Sequence, residues 1–117
     1  MRELKFRAWD KIKEEWIYSD TSPAMWRYFK ELEERGIRHF ESYEYTGLFD
    51  KQGKEIYEGD IYQQEWKDER VTGEIIYGDM ARFWLKPFEH YFIGEIKNTG
   101  EVIGNIYENP ELVGEIK

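Results

Sequence analysis

Residues 45–61 read Tyr45-Thr46-Gly47-Leu48-Phe49-Asp50-Lys51-Gln52-Gly53-Lys54-Glu55-Ile56-Tyr57-Glu58-Gly59-Asp60-Ile61. Each of the three glycines interrupts what would otherwise continue as a strand, and a residue without a Cβ can take a positive φ or let another segment approach. Asp50 and Gly53 stand at the first and fourth positions of a type I turn with a Gly bulge, which closes a hairpin. Glu58-Gly59-Asp60 predicts a second reversal. We call residues 45–61 the corner, and the pattern predicts a compact bend that feeds a small β-barrel or curled sheet.

Apolar and polar residues alternate on both sides of the corner, which predicts short strands. Residues 2–9 and 15–18 form a predicted hairpin, with Leu4, Phe6 and Ala8 on its buried side. Residues 37–45 lead into the corner. After it, turn residues separate the predicted strands 61–66, 71–77, 80–85, 88–96 and 101–107.

One segment carries a strong helix signal. Ser22 can cap free backbone N–H groups and Pro23 suits the first helical position, so the pattern predicts a helix from Pro23 to about Arg35, closed by Gly36. Its apolar stripe, predicted to pack on the open side of the sheet, consists of Met25, Trp26, Phe29 and Leu32. Asn109-Pro110-Glu111-Leu112 predicts a single helical turn near the end of the chain.

These elements predict a mainly β fold: a small closed or partly open, barrel-like (SH3-like) antiparallel sheet with one inserted α-helix at about residues 23–35. The length of 117 residues is that of one domain, so residues 1–117 are predicted to form a single domain. Aromatic residues make up 18% of the chain, enough to fill one core, and we expect most rings to point inward.

Composition excludes several classes of protein. The chain has no Cys, so it holds no disulfide or thiolate metal site, and its N-terminus lacks the apolar run of a signal peptide. No window reaches a membrane-spanning length, so we expect a soluble, cytoplasmic protein. The formal net charge is −8, with four basic against nine acidic side chains in residues 46–80, which disfavours nucleic-acid binding.

The residues that could carry chemistry do not form a recognised constellation. His39 and His90 are the only histidines, which rules out a His-rich zinc site, and no serine stands in a nucleophile elbow. Four acids of the corner suggest a calcium loop, but Lys51 and Lys54 interrupt them and Gly53 falls too early, so solvated turn carboxylates are the better interpretation: Asp50, Glu55, Glu58 and Asp60. We therefore predict no catalytic residue, no metal and no cofactor, and a protein that is not an enzyme.

Three segments resemble the YopX family of phage and prophage proteins: Leu4 to Asp10, Tyr45 to Ile61, and Glu101 to Leu112. They lie at the beginning, middle and end of the chain and occur in the same order. The resemblance implies a small β-rich fold encoded by a bacteriophage or prophage, and hence a location in the cytoplasm of a bacterial host. It implies no activity, cofactor or catalytic residue.

Two functions follow as hypotheses. The first is a non-enzymatic protein-interaction module that binds a host or phage protein, or a second copy of itself. The second is a nucleic-acid-associated role in phage replication or gene control, by direct binding or by DNA mimicry; an enzyme using the acidic corner ranks third. The predicted interaction surface is Tyr45, Tyr57, Glu58 and Asp60, although the two tyrosines could instead brace the corner while the two acids cap its backbone N–H groups.

Overall fold

The computed structural model describes residues 4–19, 25–78, 82–88 and 92–114. It confirms the mainly β fold with antiparallel sheets and an inserted helix. The chain divides into two units, Met1–Tyr45 and Thr46–Lys117. The assignment of residues 1–117 to one domain stays a prediction.

The first unit is a small antiparallel sheet covered by a helix. Its elements are β1 (Phe6–Asp10), β2 (Glu15–Tyr18), α1 (Met25–Glu34) and the first part of β3 (Phe40–Phe49). Strand β1 is central, with Arg7 opposite Tyr18 of β2 on one side and opposite Tyr43 of β3 on the other. The Asp10 carboxylate closes the β1–β2 turn, because its Oδ1 accepts hydrogen bonds from the N–H groups of Ile12 and Lys13 at 2.9 and 3.0 Å. The predicted first hairpin is therefore confirmed.

The buried side of α1 differs from the predicted stripe. Among the α1 side chains that the structure describes, Tyr28 and Leu32 enter the core, where they pack with Ala8 and Phe40. The prediction is thus confirmed for Leu32, while the side chain of Met25 lies outside the described part of the helix. Trp26 is 59% exposed and Phe29 43% exposed, so the prediction that both belong to the core was wrong. Tyr28 and Leu32 are four residues apart and so share a face, and the Tyr28 hydroxyl lies 3.2 Å from Ser42 Oγ, which satisfies its polar end. The predicted start of the helix at Ser22 and Pro23 lies outside the described residues.

The polar side of β1 is also covered. Arg7, on the opposite side of β1 from Phe6 and Ala8, is buried, and its guanidinium carbon lies 3.8 Å from the centre of the Trp16 ring. Arginine stacks on aromatic faces with its long stem against apolar surface, so a charged residue can occupy a covered face.

The second unit contains the other strands. They are β4 (Glu55–Tyr57), which neighbours the end of β3, then β5 (Asp60–Trp66), β6 (Glu69–Gly78), β7 (Arg82–Lys86) and β8 (Glu101–Asn105), followed by the short helix α2 (Pro110–Gly114). Four strands form an antiparallel sheet in the order β7-β6-β5-β8. Its core is a cluster of buried side chains: Ile56, Tyr62, Val71, Ile75, Phe83 and Leu85. The helical turn predicted at residues 109–112 is confirmed by α2.

One predicted strand begins later than expected, and the described part of another has a different structure. Residues 37–39 form a 3-10 turn, and β3 begins only at Phe40. In the predicted strand 88–96, residues 92–94 form another 3-10 turn and Glu95 makes an isolated bridge to Trp84. The buried Gln64 side chain explains the second case, because its Nε2 donates to the carbonyls of Ile93 and Glu95 at 3.0 and 2.9 Å. These carbonyls accept hydrogen bonds from a side chain, so they do not require a continuous neighbouring strand.

The glycines of the corner adopt the conformation expected from the sequence. Gly47, Gly53 and Gly59 have φ values of 86°, 84° and 86°. This left-handed region is sterically costly for residues with a Cβ. The prediction of a glycine-dependent bend at residues 45–61 is confirmed.

Two glycines of the second unit are needed for different reasons, which substitutions can separate. A Cβ at Gly53 would meet no atom within 4 Å, whereas a Cβ at Gly100 would collide with the Gln63 carbonyl oxygen. We expect Gly53→Ala to lower the free energy of unfolding by about 1 kcal/mol through its positive φ alone, and Gly53→Asn to cost less because Asn tolerates this region. Gly100→Ala should lower the free energy of unfolding more than Gly53→Ala does, and Gly100→Asn should be no more stable than Gly100→Ala. Urea denaturation measures all four variants. A Gly100→Asn variant that is clearly more stable than Gly100→Ala would contradict the steric explanation.

Two large residues of α1 should differ sharply in their importance for stability. Leu32→Ala removes a buried side chain and should lower the free energy of unfolding by about 2–5 kcal/mol. Trp26→Ala removes a mostly exposed side chain and should change it by less than about 1 kcal/mol. Thermal and urea denaturation of the two variants provide the comparison. A loss at Trp26 as large as that at Leu32 would restore the predicted apolar stripe.

Candidate functional site

The corner is held by the carboxylate of Asp50, which lies where β3 ends and the turn to β4 begins. Its Oδ1 accepts hydrogen bonds from the N–H groups of Gln52 and Lys54, both at 2.9 Å. Its Oδ2 accepts a third from the N–H of Val102 in β8, at 3.1 Å. The side chain is buried, so these contacts replace hydration of the charge. One carboxylate therefore shapes the turn and attaches it to a strand 52 residues further along the chain.

The protonation of Asp50 follows from these contacts. Burial by itself would raise the pKa of the carboxyl, but the hydrogen bonds from Val102, Lys54 and Gln52, together with the positive charge of Lys54, outweigh it. The pKa of Asp50 is thus lowered from its ordinary value, and the group is ionised at neutral pH.

Further contacts fix the corner to the loop before β8. The Lys51 N–H donates to the Gly100 carbonyl at 2.9 Å. Lys51 Nζ also lies 3.7 Å from a Glu101 carboxylate oxygen, and Gln52 Nε2 donates to the same carboxylate at 3.3 Å. The last two contacts are exposed and add little stability, so the backbone bond and Asp50 carry the attachment.

Side-chain hydrogen bonds from Tyr62 and Gln64 hold the loop before β8. The Tyr62 hydroxyl donates to the Lys97 carbonyl and accepts from the Gly100 N–H at 3.1 Å. Gln64 Oε1 accepts from the Lys97 N–H at 3.0 Å. Burial raises the pKa of Tyr62 to about 12, with the nearby Asp50 charge adding to the rise, so the phenol stays neutral and can donate. Hydrogen bonds consequently fix both the turn of the corner and the loop that faces it.

Three of the four residues predicted as an interaction surface are interior. Tyr45, in the first unit, and Tyr57 and Asp60, in the second, are each at most 3% exposed, while Glu58 is half-buried. Asp60 Oδ2 accepts from the Tyr57 N–H at 2.8 Å, which is the capping role weighed as the alternative for the acids. The binding role of these four residues stays a prediction.

The corner exposes an apolar pair that the sequence analysis did not single out. Leu48 is 39% and Phe49 50% exposed, although they are consecutive strand residues that point to opposite faces. They border a shallow groove of about 660 Å³, whose other lining residues include Gly47, Lys51, Asn98 and Thr99. We call this surface the corner groove. The sequence does not distinguish this pair, because Ile61 and Tyr62 of β5 are likewise consecutive apolar strand residues and both are buried.

Two of the four acids of the corner are not the solvated carboxylates that the sequence suggested. Asp50 and Asp60 are buried and accept backbone hydrogen bonds, so that interpretation was wrong for both. In the described part of the chain, no three carboxylate or imidazole side chains come together in a way that could hold a metal ion. His39 is exposed in the turn before β3, and His90 lies outside the described residues.

Glu58 has one notable electrostatic neighbour. Burial raises the pKa of the Glu74 carboxyl on β6; the charge of Lys86 opposes the rise and that of Glu58 adds to it. Glu58 therefore contributes to the interior electrostatics of the second unit.

Within the described residues, neither helix has the length and apolar character needed to cross a bilayer.

The Asp50 carboxylate can be tested by substitution and by pH. Asp50→Asn places an amide group against at least one backbone N–H, so we expect a loss of about 2 kcal/mol in the free energy of unfolding at pH 7. Because the folded pKa of Asp50 lies below its unfolded value of about 3.9, the carboxylate stabilises the fold above that value, and this contribution is lost as the pH falls through the folded pKa. The difference in the free energy of unfolding between the wild type and Asp50→Asn should therefore become smaller as the pH falls, as measured by urea denaturation between about pH 7 and pH 2.5.

Glu101→Gln is the matched control for this test, because it removes an exposed charge from the same attachment. It should cost less than about 0.5 kcal/mol and show no comparable pH dependence. An Asp50→Asn variant as stable as the control would show that the buried carboxylate does not hold the corner.

Comparisons with known proteins agree with this fold. The chain is similar over 97% of its length, and over 99% of the other chain, to the crystal structure of protein EF1440 from Enterococcus faecalis, with a TM-score of 0.60 and 24% sequence identity. At that identity the likeness concerns the fold alone. No curated protein matches the chain. The YopX protein family matches residues 5–114, which is nearly the whole sequence. The chain therefore belongs to the YopX family.

Proposed function

We propose that this protein is a non-enzymatic interaction module that binds a protein partner through the corner groove. The observation that carries the proposal is that Leu48 and Phe49, at the end of β3, are both exposed and both border the corner groove. Exposed apolar side chains bordered by polar ones are typical of protein-binding surfaces. The polar border here is formed by Lys51, Asn98 and Thr99.

Rigidity supports the proposal. The two apolar residues directly precede Asp50, whose three hydrogen bonds hold the turn, and the facing loop is held by Tyr62 and Gln64. A surface that is already ordered loses little conformational entropy on binding, so a small apolar contact can contribute to affinity. Exposure of Leu48 and Phe49 on a flexible segment would not have this advantage.

Electrostatics favour a protein over a nucleic acid as the partner. Among the described residues, Lys51 is the single basic one that lines the corner groove, and Glu101 partly neutralises it at 3.7 Å. Residues 46–117 contain 8 Lys and Arg against 15 Asp and Glu. Phosphate backbones are bound mainly by clustered cations, and a single lysine does not make such a cluster.

The family supplies the biological setting of the proposal. We propose that the protein acts in the cytoplasm of a bacterial host of a phage or prophage, as the YopX resemblance implies, and that its partner is a host or phage protein or a second copy of the chain. Tyr57 and Asp60 are buried in the same unit as the corner groove, and Glu58 lies between them in sequence.

A paired substitution tests the corner groove. The Leu48→Ser/Phe49→Ser variant removes the apolar pair while leaving every hydrogen bond of Asp50 in place. We expect immobilised wild-type protein to retain a specific protein from a nuclease-treated bacterial lysate and the variant to lose it, as measured by quantitative mass spectrometry. Sedimentation equilibrium of the purified proteins tests the version in which the partner is a second copy.

Tyr77→Ser is the matched control, since Tyr77 is 48% exposed in the same unit and lies outside the corner groove. It should leave retention and self-association unchanged. Equal retention and equal self-association of the wild type and the Leu48→Ser/Phe49→Ser variant would overturn the proposal. A protein that the wild type retains from an untreated lysate, but not from the nuclease-treated one, would favour the nucleic-acid hypothesis.

A further inference from the structure

A second groove of the Thr46–Lys117 unit has a different chemical character. It measures about 360 Å³ and lies where β5, β6, β8 and α2 come together. Its apolar lining includes Phe88, Ile103 and Leu112. It shares no described lining residue with the corner groove, so the inference below does not depend on the proposed function.

Arg70 is the only charged residue, within the described part of the chain, that lines this groove. Its side chain is exposed, and no carboxylate among the described residues forms an ion pair with it, although Glu65 stands directly opposite on β5. The neighbouring polar groups are engaged with each other, because Gln63 Nε2 donates to Thr72 Oγ1 at 3.0 Å. The groove thus combines apolar walls with one guanidinium whose hydrogen-bond donors are available.

We propose that this groove binds a partner peptide segment in which an apolar side chain stands next to a carboxylate. The apolar side chain would lie against Ile103 and Leu112, and the carboxylate would pair with Arg70. Arginine presents a planar fork of donors that matches a carboxylate in two parallel hydrogen bonds. An acidic segment is the complementary partner because the described lining carries a single positive charge and no negative one.

The volume of the groove agrees with such a partner. About 360 Å³ suffices for one large side chain and its backbone, and lies at the lower end of the range for small-molecule pockets. The binding energy would come from burial of the apolar side chain, and the orientation of the segment from Arg70.

A peptide library provides the test, because selection from random sequences does not require an identified partner. A displayed library of random 12-residue peptides is selected on the wild-type protein after removal of peptides that bind Arg70→Gln. We expect enrichment, relative to the unselected library, of sequences in which an aliphatic or aromatic residue adjoins Asp or Glu. The best peptide is then synthesised with a fluorescent label, and its affinity is measured by fluorescence anisotropy.

The variants have defined expected outcomes. Arg70→Gln should weaken binding by about tenfold or more, since a hydrogen-bonded charge pair is lost, and Arg70→Lys should be intermediate. Leu112→Ala should also weaken binding. The control Lys67→Gln removes a charge at the β5–β6 turn, outside the groove, and should bind like the wild type. Thermal unfolding verifies that Arg70→Gln is folded.

Three results would overturn the assignment. They are the absence of enriched peptides, enriched peptides without an acidic residue, and an affinity that Leu112→Ala leaves unchanged. Octanoate serves as a probe for the alternative occupant, a small amphiphilic carboxylate: saturable binding of octanoate that depends on Arg70, without any selected peptide, would replace the peptide by that class of ligand.

Discussion

The second unit depends on the buried negative charge of Asp50. A carboxylate can stay ionised in an interior only if hydrogen bonds replace its hydration, and Asp50 receives three of them from backbone N–H groups. Two of these set the turn at residues 50–54, and the third belongs to β8. Because the same group serves both segments, the turn and the strand are coupled: neither can move away without leaving a buried charge short of partners.

This coupling also protects the edge of the sheet. Strand β8 is at the end of the order β7-β6-β5-β8, where free backbone groups would invite pairing with another chain. The Asp50 carboxylate accepts a hydrogen bond from the Val102 N–H, and the Lys51 N–H donates to the Gly100 carbonyl. Further along, Asn109 Oδ1 accepts a hydrogen bond from the Asn105 N–H at 3.2 Å. Hydrogen bonds from side chains and from a turn thus satisfy backbone groups that would otherwise be free to pair with a further strand.

Buried polar residues of the second unit share this structural role. Gln64 uses both ends of its amide, and Tyr62 both functions of its hydroxyl, to hold the chain between residues 93 and 100. Asn105 Oδ1 accepts from the N–H groups of Tyr107 and Glu108 at 3.0 and 2.9 Å. These buried polar side chains are directed at the backbone and hold the loops of the second unit in place.

The sequence by itself determined the turns, the glycine positions, most strands, the presence of a helix and the family, because backbone preferences and short-range patterns are local properties. Burial was decided only by the tertiary structure. Trp26 suits a core yet is exposed, whereas Arg7 and Asp50 suit a surface yet are buried, since Trp16 covers one and Val102 hydrogen-bonds the other. For the same reason the corner was predicted, but its exposed pair was not. Which side chains meet solvent depends on segments far away in the chain, and no local pattern contains that information.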